Sequence, residues 1–185
     1  GIFTHAVVSG NKATIQVETT LGNDHAMPAN ATVSAYLTDR NGVRIDAAKD
    51  VTVSVNSVSE NLVKQTISLN APRLWSIEDP YLHRVVVEVK VGNHIIDKQT
   101  LRFGIRSIEV KPNGLFVNGK HTKIFGVNCH QDHAGVGSAL PDYLQYYRIS
   151  LLKKMGSNAY RTSHNAPTPE LLDACDSLGM LVMDE

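Results

Sequence analysis

The chain has 185 residues, of which 42% are hydrophobic and 19% are charged, and its 18 basic and 18 acidic side chains give a formal net charge of zero. That length accommodates one large domain, or one small domain and part of another, around a buried core. There is no basic run to capture nucleic acid or an anionic membrane, and no apolar stretch approaches the length needed to cross a bilayer. A neutral partner fits this composition better than a polyanion.

The first residue bears on the cellular compartment, whereas the two cysteines say little about it. The chain starts at Gly1 rather than Met, which fits a removed leader or a cut from a longer protein. A periplasmic or secreted location is therefore slightly favoured over a cytoplasmic one. Cys129 and Cys175 lie in unrelated contexts and form no close pair motif, so two free thiols are expected.

The first hundred or so residues have the pattern of an all-β domain. Ala13, Ile15 and Val17 alternate with polar residues, which predicts a half-buried strand. About seven short strands at such spacing predict an immunoglobulin-like β-sandwich over residues 1–104. The clearest predicted strands cover residues 12–19, 31–37, 51–55, 62–69, 85–91 and 95–103. Tight reversals are predicted at Gly22-Asn23-Asp24, Asn41-Gly42 and Gly92-Asn93.

The pattern changes after Gly104. A short hairpin is predicted to turn at Asn118-Gly119, and a strand follows at residues 123–128. The apolar residues then recur with helical spacing up to Gly156, which predicts a helix and its C-terminal cap. The residues on one face of this predicted helix are Leu144, Tyr147, Leu151 and Met155.

A second helix is predicted between two further strands at residues 158–162 and 180–183. Thr168 supplies a capping hydroxyl, Pro169 suits the first helical position, and Gly179 ends the helix. The predicted buried stripe of this helix consists of Leu171, Leu172, Cys175 and Leu178.

The resulting order, β-α-β-α-β with short connections, predicts right-handed crossovers and a parallel sheet. The simplest interpretation of residues 105–185 is the first part of an incomplete (β/α)₈ TIM barrel. A barrel that stops after three strands leaves strand edges and apolar helix faces uncovered, so either self-association or a poorly ordered C-terminal third is expected.

Polar residues follow each of the three predicted parallel strands. Residues 128–133 follow the first strand, residues 161–165 follow the second, and Asp184-Glu185 follows the third. Because the carboxyl ends of parallel strands meet at one edge, these clusters are expected to lie together.

Several chemistries are compatible with these clusters. His130, Asp132 and His133 could form half of a metal site, although no second ligand set has standard spacing. Arg161 could pair with Asp184 or Glu185, contact a substrate, or do both. His164 could cap a loop, but its place at the predicted mouth favours a role in a site.

Two other kinds of site are disfavoured. A Ser-His-acid triad could be drawn from Ser163, His130 or His164, and Asp132. However, Ser163 lacks the small-residue turn that exposes a hydrolase nucleophile. Gly135 and Gly137 fit neither phosphate-binding pattern.

At these motifs the chain resembles family 2 glycoside hydrolases of the β-galactosidase type. Residues 103–110, 115–120 and 126–130 resemble the junction between sandwich and barrel in that family, and residues 74–76 with 80–82 resemble its late-sandwich signature. Residues 158–165 and 173–185 are similar to the family's second strand and to its third strand with the preceding helix.

The resemblance implies a retaining exo-β-glycosidase, most often a β-galactosidase and sometimes a β-glucuronidase or β-mannosidase, acting on a β-linked oligosaccharide or glycoside. His130 and His164 match histidines that line the sugar pocket, and Arg161 matches an arginine that helps to position the catalytic carboxylates. Asp132 is a further candidate for a sugar-hydroxyl contact. Both catalytic glutamates belong to later barrel strands beyond Glu185, so this chain alone is expected to be inactive.

The chain also departs from the family pattern. The N-terminal jelly-roll domain is missing before Gly1, and Cys129 stands where the family often has a basic or polar residue. Glu185 ends the third strand, too early in the barrel for the nucleophile. No cofactor is expected in this chain, and a divalent cation is an open expectation for a longer parent enzyme. The alternative interpretation is a non-catalytic carbohydrate-binding or interaction module.

Overall fold

The computed structural model describes residues 1–185, which divide into two compact units. The sandwich unit comprises residues 1–73 and 82–107, and the α/β unit comprises residues 74–81 and 108–185. None of the helices is long and apolar enough to cross a bilayer.

The sandwich unit consists of eight antiparallel strands in two sheets. One sheet has the order β1-β2-β6, and the other has the order β4-β3-β7-β8, with β5 also paired to β3. Two of the eight, β1 and β4, were not among the six clearest predicted strands: β1 is half-buried at a sheet edge, and β4 has four residues. The strands are β1 (Ile2–Ser9), β2 (Lys12–Asn23), β3 (Ala29–Thr38), β4 (Arg44–Ala47), β5 (Val51–Val55), β6 (Ser59–Asn70), β7 (His83–Val91) and β8 (His94–Phe103).

The core of the sandwich unit is formed by the alternating apolar residues of these strands. Ala13, Ile15 and Val17 on β2 are buried, as the alternation predicts. Opposite faces of a strand alternate, so the intervening polar residues are on the outer face. This architecture confirms the predicted immunoglobulin-like β-sandwich.

The turn signals had different outcomes. Val91 pairs with His94 around Gly92, and Gly42 lies in the reversal between β3 and β4, so both predicted reversals are confirmed. The tight reversal predicted at residues 22–24 is wrong, because β2 continues to Asn23. The buried Asn23 side chain instead donates hydrogen bonds to the carbonyl oxygens of Met27, Val55 and Asn56.

The α/β unit begins with a three-stranded antiparallel sheet, in which β10 pairs with both β9 and β11. The predicted hairpin at Asn118-Gly119 is confirmed, with positive φ at both residues, as a tight two-residue turn requires. The strands are β9 (Ile108–Lys111), β10 (Gly114–Val117) and β11 (Lys120–Thr122).

A β-α-β-α-β segment follows, and its three strands form a parallel sheet in the order β12-β13-β14. The predicted start of a (β/α)₈ barrel is therefore confirmed as an incomplete barrel. The elements are β12 (Gly126–Cys129), α1 (Asp142–Lys154), β13 (Ala159–Thr162), α2 (Pro169–Leu178) and β14 (Leu181–Met183).

The strand predicted at residues 123–128 is shorter and begins later. At its predicted start, the Asn158 side chain takes the place of backbone hydrogen bonds between strands. Asn158 Oδ1 accepts a hydrogen bond from the Phe125 amide, and Asn158 Nδ2 donates to the Lys123 carbonyl oxygen. Ile124 and Phe125 precede β12 and are 57% and 55% exposed.

The apolar face predicted for α1 is not its buried face. Leu151 and Met155 are 44% and 72% exposed, whereas Gln145 and Ile149 are buried. The helix carries apolar residues on more than one side, so the spacing of apolar residues alone predicted the wrong buried face. Ile149 belongs to the core formed with Tyr160 of β13 and the buried side of α2.

The limits of α2 agree with its sequence signals. The Thr168 hydroxyl accepts a hydrogen bond from the Leu171 amide, Pro169 opens the helix, and Gly179 closes it with φ 73°. Leu171 and Cys175 are buried as predicted, but Leu172 is 36% exposed and Ala174 takes its place in the core.

Residues 74–81 belong to the α/β unit and are hydrogen-bonded to α1 and to the end of α2. Trp75, which is 1% exposed, donates from Nε1 to the Asp176 carbonyl oxygen over 2.7 Å. Lys153 Nζ donates to the carbonyl oxygens of Ile77 and Gly179 over 2.8 and 2.7 Å. These bonds hold the chain just before β14, the strand that leads to Glu185.

Candidate functional site

The three parallel strands end at the same edge of their sheet. Cys129 of β12 is level with Thr162 of β13, and Arg161 is level with Met183 of β14. The residues that follow each strand are therefore brought to one place, as the sequence predicts. We call His130, Arg161, His164 and Glu185 the strand-end cluster.

The Glu185 carboxylate joins Arg161 and His164 of the strand-end cluster. Its Oε1 accepts a hydrogen bond from Arg161 Nη2 over 2.6 Å, and its Oε2 lies 2.9 Å from His164 Nδ1. The Glu185 backbone N–H donates to Thr162 Oγ1 over 3.0 Å. Glu185 is thus fixed through both its side chain and its main chain.

The two histidines of the strand-end cluster stand beside each other. Their ring centroids are 5.7 Å apart and their planes are inclined by 75°, which is an edge-to-face arrangement. Arg148 Nη2 on α1 donates to the His130 carbonyl oxygen over 2.8 Å. The His164 side chain is 64% exposed, so it can meet a molecule arriving from solvent.

Asp132 behaves differently from the other predicted site residues. It is exposed and lies in the loop between β12 and α1, where its carboxylate makes no hydrogen bond or ion pair. The neighbouring Gln131 Nε2 donates to the Ala166 carbonyl oxygen over 2.6 Å and so joins the loops after β12 and β13. Of the four residues singled out, the structure gathers His130, His164 and Arg161 and leaves Asp132 apart.

Sequence reasoning missed three residues that support the strand-end cluster. Thr162 holds the Glu185 backbone, Gln131 joins two loops, and Arg148 holds the His130 carbonyl. Gln131 and Thr162 lie inside the strand-end motifs, so the signal was present. Arg148 lies on α1 and had no motif to reveal it.

The geometry disfavours a serine nucleophile. Ser163 is only 4% exposed, and its Oγ lies 3.4 Å from Arg161 Nη1, which donates to it. The peptide bond between Ser163 and His164 is cis. A reacting carbonyl carbon could not approach the buried hydroxyl without displacing the surrounding chain.

The residues of this chain do not fit a complete metal site. No three or more His, Cys, Asp or Glu side chains are grouped so that they could hold an ion. His133 is tied into a turn by backbone hydrogen bonds with Gly137.

Two titratable groups beneath the sheet are structural. Burial, with a smaller contribution from Cys129, raises the pKa of Tyr160 to about 12. Burial also raises the pKa of the Cys175 thiol to about 12. Both groups are therefore neutral near pH 7, and neither is an activated nucleophile.

Comparison with known families matches both parts of the chain. Residues 1–106 match the model of glycosyl hydrolases family 2, and residues 108–185 match the model of the TIM barrel domain of the same family.

Individual proteins give the same result. The β-galactosidase BoGH2A of Bacteroides ovatus is 34% identical over 183 residues, covering 98% of this chain and 21% of that protein. A β-glucuronidase of Formosa agariphila is 31% identical over 179 residues, covering 95% of this chain and 18% of that protein. The crystal structure of a glycosyl hydrolase family 2 member from Bacteroides cellulosilyticus superposes with a TM-score of 0.95 at 35% identity, covering all of this chain and 26% of that one.

The chain thus spans about a fifth to a quarter of the length of the proteins that it matches. The two family matches cover residues 1–106 and 108–185. They agree with the observed fold, a β-sandwich followed by the first strands and helices of a barrel. The chain belongs to glycosyl hydrolases family 2.

Proposed function

We propose that this chain forms part of a retaining exo-β-glycosidase that removes terminal β-linked sugars, with β-galactosides as the favoured substrates. The observation that carries the proposal is the strand-end cluster, in which an arginine, two histidines and a carboxylate meet at the carboxyl edge of a parallel sheet. In a (β/α)₈ barrel, that edge is where catalytic and substrate-binding residues lie.

The members of the strand-end cluster have distinct roles in this proposal. His130 and His164 hydrogen-bond sugar hydroxyls, since imidazole nitrogens can donate or accept. Arg161 is a fixed positive charge that helps to keep neighbouring carboxylates ionised and oriented. Asp132, on its exposed loop, is a sugar-hydroxyl acceptor that the bound substrate would bring into use.

The reaction itself requires two further carboxyl groups. In a retaining glycosidase one carboxylic acid protonates the leaving oxygen, and a carboxylate about 5 to 5.5 Å away attacks the anomeric carbon. Glu185 is not proposed for either role, because it follows the third strand of the barrel, earlier than the strands that the family resemblance implies for the two glutamates. The acid and the nucleophile are therefore proposed to come from later strands of a complete barrel, and this chain alone should not hydrolyse glycosides.

An assay of two proteins tests this proposal. The 185-residue chain should give no saturable hydrolysis of an aryl β-galactoside. If the coding sequence continues past Glu185 into further strand and helix units, its product should hydrolyse the same compound and release the β-anomer first, as observed by proton NMR. Saturable hydrolysis by the short chain, a stop codon after Glu185, or first release of the α-anomer would contradict the proposal.

The alternative function is that of a non-catalytic carbohydrate-binding module, and a binding experiment on the 185-residue chain tests it. Such modules present several exposed aromatic side chains to sugar rings, but in the sandwich unit only one Phe, Tyr or Trp side chain, Phe3 at 65%, is largely exposed. Calorimetric titration of the chain with oligosaccharides should therefore show no tight binding by the sandwich unit. Clear binding that survives substitution of His130 and His164 would favour the module.

Self-association is proposed for the α/β unit. Ile108, Val110 and Ile124 are 50%, 84% and 57% exposed and line an open cavity of about 620 Å³ on the sheet. Exposed apolar surface of this kind favours association. Sedimentation velocity should show species larger than 20.2 kDa at micromolar concentration, whereas a strictly monomeric chain would contradict this expectation.

A further inference from the structure

We propose that Glu185 is a positioning residue that sets the tautomer of His164, so that His164 offers Nε2 as a hydrogen-bond acceptor to a sugar hydroxyl. The positioning itself is independent of the reaction, and the sugar contact rests on the function proposed above. Nothing in the sequence motifs assigns this relation between the two side chains.

The Glu185 carboxylate is held in one orientation from several sides. Arg161 Nη2 donates to Oε1 over 2.6 Å, and Oε2 faces His164 Nδ1 at 2.9 Å. The backbone N–H of Glu185 donates to Thr162 Oγ1, and Thr162 is only 3% exposed. The carboxylate therefore cannot turn away from His164 without breaking its contact with Arg161.

This contact dictates where the imidazole proton lies. An ionised carboxylate only accepts hydrogen bonds, so the nitrogen facing it, Nδ1, must carry the hydrogen. A neutral imidazole carries a single N–H, and its other nitrogen has a free lone pair. The neutral form of His164 is thus fixed as the Nδ1–H tautomer, with Nε2 as the acceptor.

The surroundings leave Nε2 available to a ligand. His164 makes no hydrogen bond through Nε2 to the rest of the chain, and its side chain is 64% exposed. The His130 ring stands edge-to-face beside it at 5.7 Å and limits the approach on one side.

The acceptor nitrogen discriminates between ligand groups. A sugar hydroxyl can donate its hydrogen to Nε2, whereas the carboxylate of a uronic acid has no hydrogen to donate. The group that meets Nε2 of neutral His164 is therefore a hydroxyl, which galactosides and glucuronides both carry, and not a carboxylate.

Nitrogen NMR of the histidine side chains measures the tautomer directly. The 185-residue chain, labelled with ¹⁵N in histidine, is observed by long-range proton–nitrogen correlation at about pH 8.5, where histidine is ordinarily neutral. His164 is assigned from the signal that disappears in His164→Gln. Its Nδ1 should resonate as a protonated nitrogen and its Nε2 as a lone-pair nitrogen. A protonated Nε2 in the wild-type chain would overturn the proposal without any variant.

Two substitutions then test the cause. In Glu185→Ala, the His164 signals should move toward the Nε2–H tautomer that neutral histidine favours in water. In Glu109→Ala, which removes an exposed carboxylate paired with Lys111 on β9, they should not move. An unchanged His164 tautomer in Glu185→Ala would show that Glu185 does not set it.

Addition of a sugar separates this inference from the proposed function. Methyl β-galactoside, which carries hydroxyls, should shift the His164 Nε2 signal, whereas acetate, which carries a carboxylate and no hydroxyl, should not. If the Nδ1–H tautomer is found but the galactoside does not move the signal, the positioning role stands and the sugar contact fails together with the proposed function. If sugar binds while Nε2 is protonated, the proposed function stands and this inference fails.

Discussion

The sandwich unit and the α/β unit place their polar side chains differently because their strands run differently. In the sandwich unit all strand pairs are antiparallel, so successive strands end at opposite ends of a sheet. In the α/β unit β12, β13 and β14 are parallel, so all three end at one edge. Polar residues after strands are dispersed in the first case and collected in the second.

Two buried polar side chains of the sandwich unit, Asn23 and Gln65, bond to the backbone. Asn23 donates to three carbonyl oxygens, and Gln65 Nε2 donates to those of Val33 and Lys49 over 3.2 and 2.8 Å. In the α/β unit, Arg161 and His164 bond instead to the Glu185 side chain. The direction of the strands thus decides which polar residues are collected at one edge of a sheet.

The largest expected effect comes from the glycine that precedes β14. Gly179 has φ 73°, and a Cβ at this position would collide with the Ile77 carbonyl oxygen. Gly179→Ala should lower the free energy of unfolding of the α/β unit by about 3 kcal/mol, from backbone strain and the collision together. Trp75, the only tryptophan, lies in this unit, so its fluorescence during urea unfolding gives the measurement.

Gly156 is the matched control for this substitution. It follows α1 with φ 92°, but a Cβ there would meet nothing within 4 Å. Gly156→Ala should therefore cost only about 1 kcal/mol, from backbone strain alone. Equal losses in the two variants would mean that the contact with Ile77 contributes nothing.

The next effect is a pH dependence located in the sandwich unit. His83 is 2% exposed, and burial lowers its pKa, assisted by the nearby Arg73 and opposed by Asp39. Below about pH 6.5, His83 binds a proton in the unfolded chain. In the folded chain it binds that proton only at a lower pH, because its pKa is lowered. The free energy of unfolding should therefore fall as the pH drops from about 6.5 to the folded pKa, by at most about 1.4 kcal/mol per pH unit.

Substitution locates this dependence. His83→Gln should reduce the pH dependence of unfolding measured by circular dichroism, whereas His5→Gln, at an exposed position on β1, should leave it intact. The assignment is refuted if both variants retain the wild-type slope between pH 7.5 and 5.

The smallest expected effect is the difference in unfolding free energy between two threonine variants, one from each unit. Thr162→Val removes the buried hydroxyl that accepts the Glu185 N–H, and should cost about 1 kcal/mol. Thr32→Val removes an exposed hydroxyl that bonds only to Thr52, and should cost almost nothing. Urea unfolding of the two variants measures the difference, and a larger loss from Thr32→Val would reverse the comparison.

The sequence predicted the fold well where its signals were local. The turns at Gly42, Gly92 and Gly119, the Thr168-Pro169 start of α2 and the alternation in β2 each depend on a few neighbouring residues, and the structure confirms them. Predictions failed where tertiary contacts decide. The buried face of α1 depends on its packing against β13 and α2, and the start of β12 depends on the Asn158 side chain.

The candidate site was predictable in part for the same reason. Strand ends in a parallel sheet converge, so the meeting of His130, Arg161 and His164 followed from topology. The way that Glu185 divides its carboxylate between Arg161 and His164 could not be predicted, because side-chain directions after β13 and β14 are set by contacts between strands. The exposed position of Asp132 likewise depends on a loop with no regular pattern.

The most direct test of the account is a backbone amide NMR titration of the whole chain with methyl β-galactoside. We expect shift changes at residues that follow β12, β13 and β14, centred on His130, His164 and Glu185, with the sandwich unit unaffected. Weak binding is sufficient, because shifts can be followed to high sugar concentration. Changes confined to the sandwich unit, or no change at the strand-end cluster, would contradict the claim that the parallel sheet carries the sugar site.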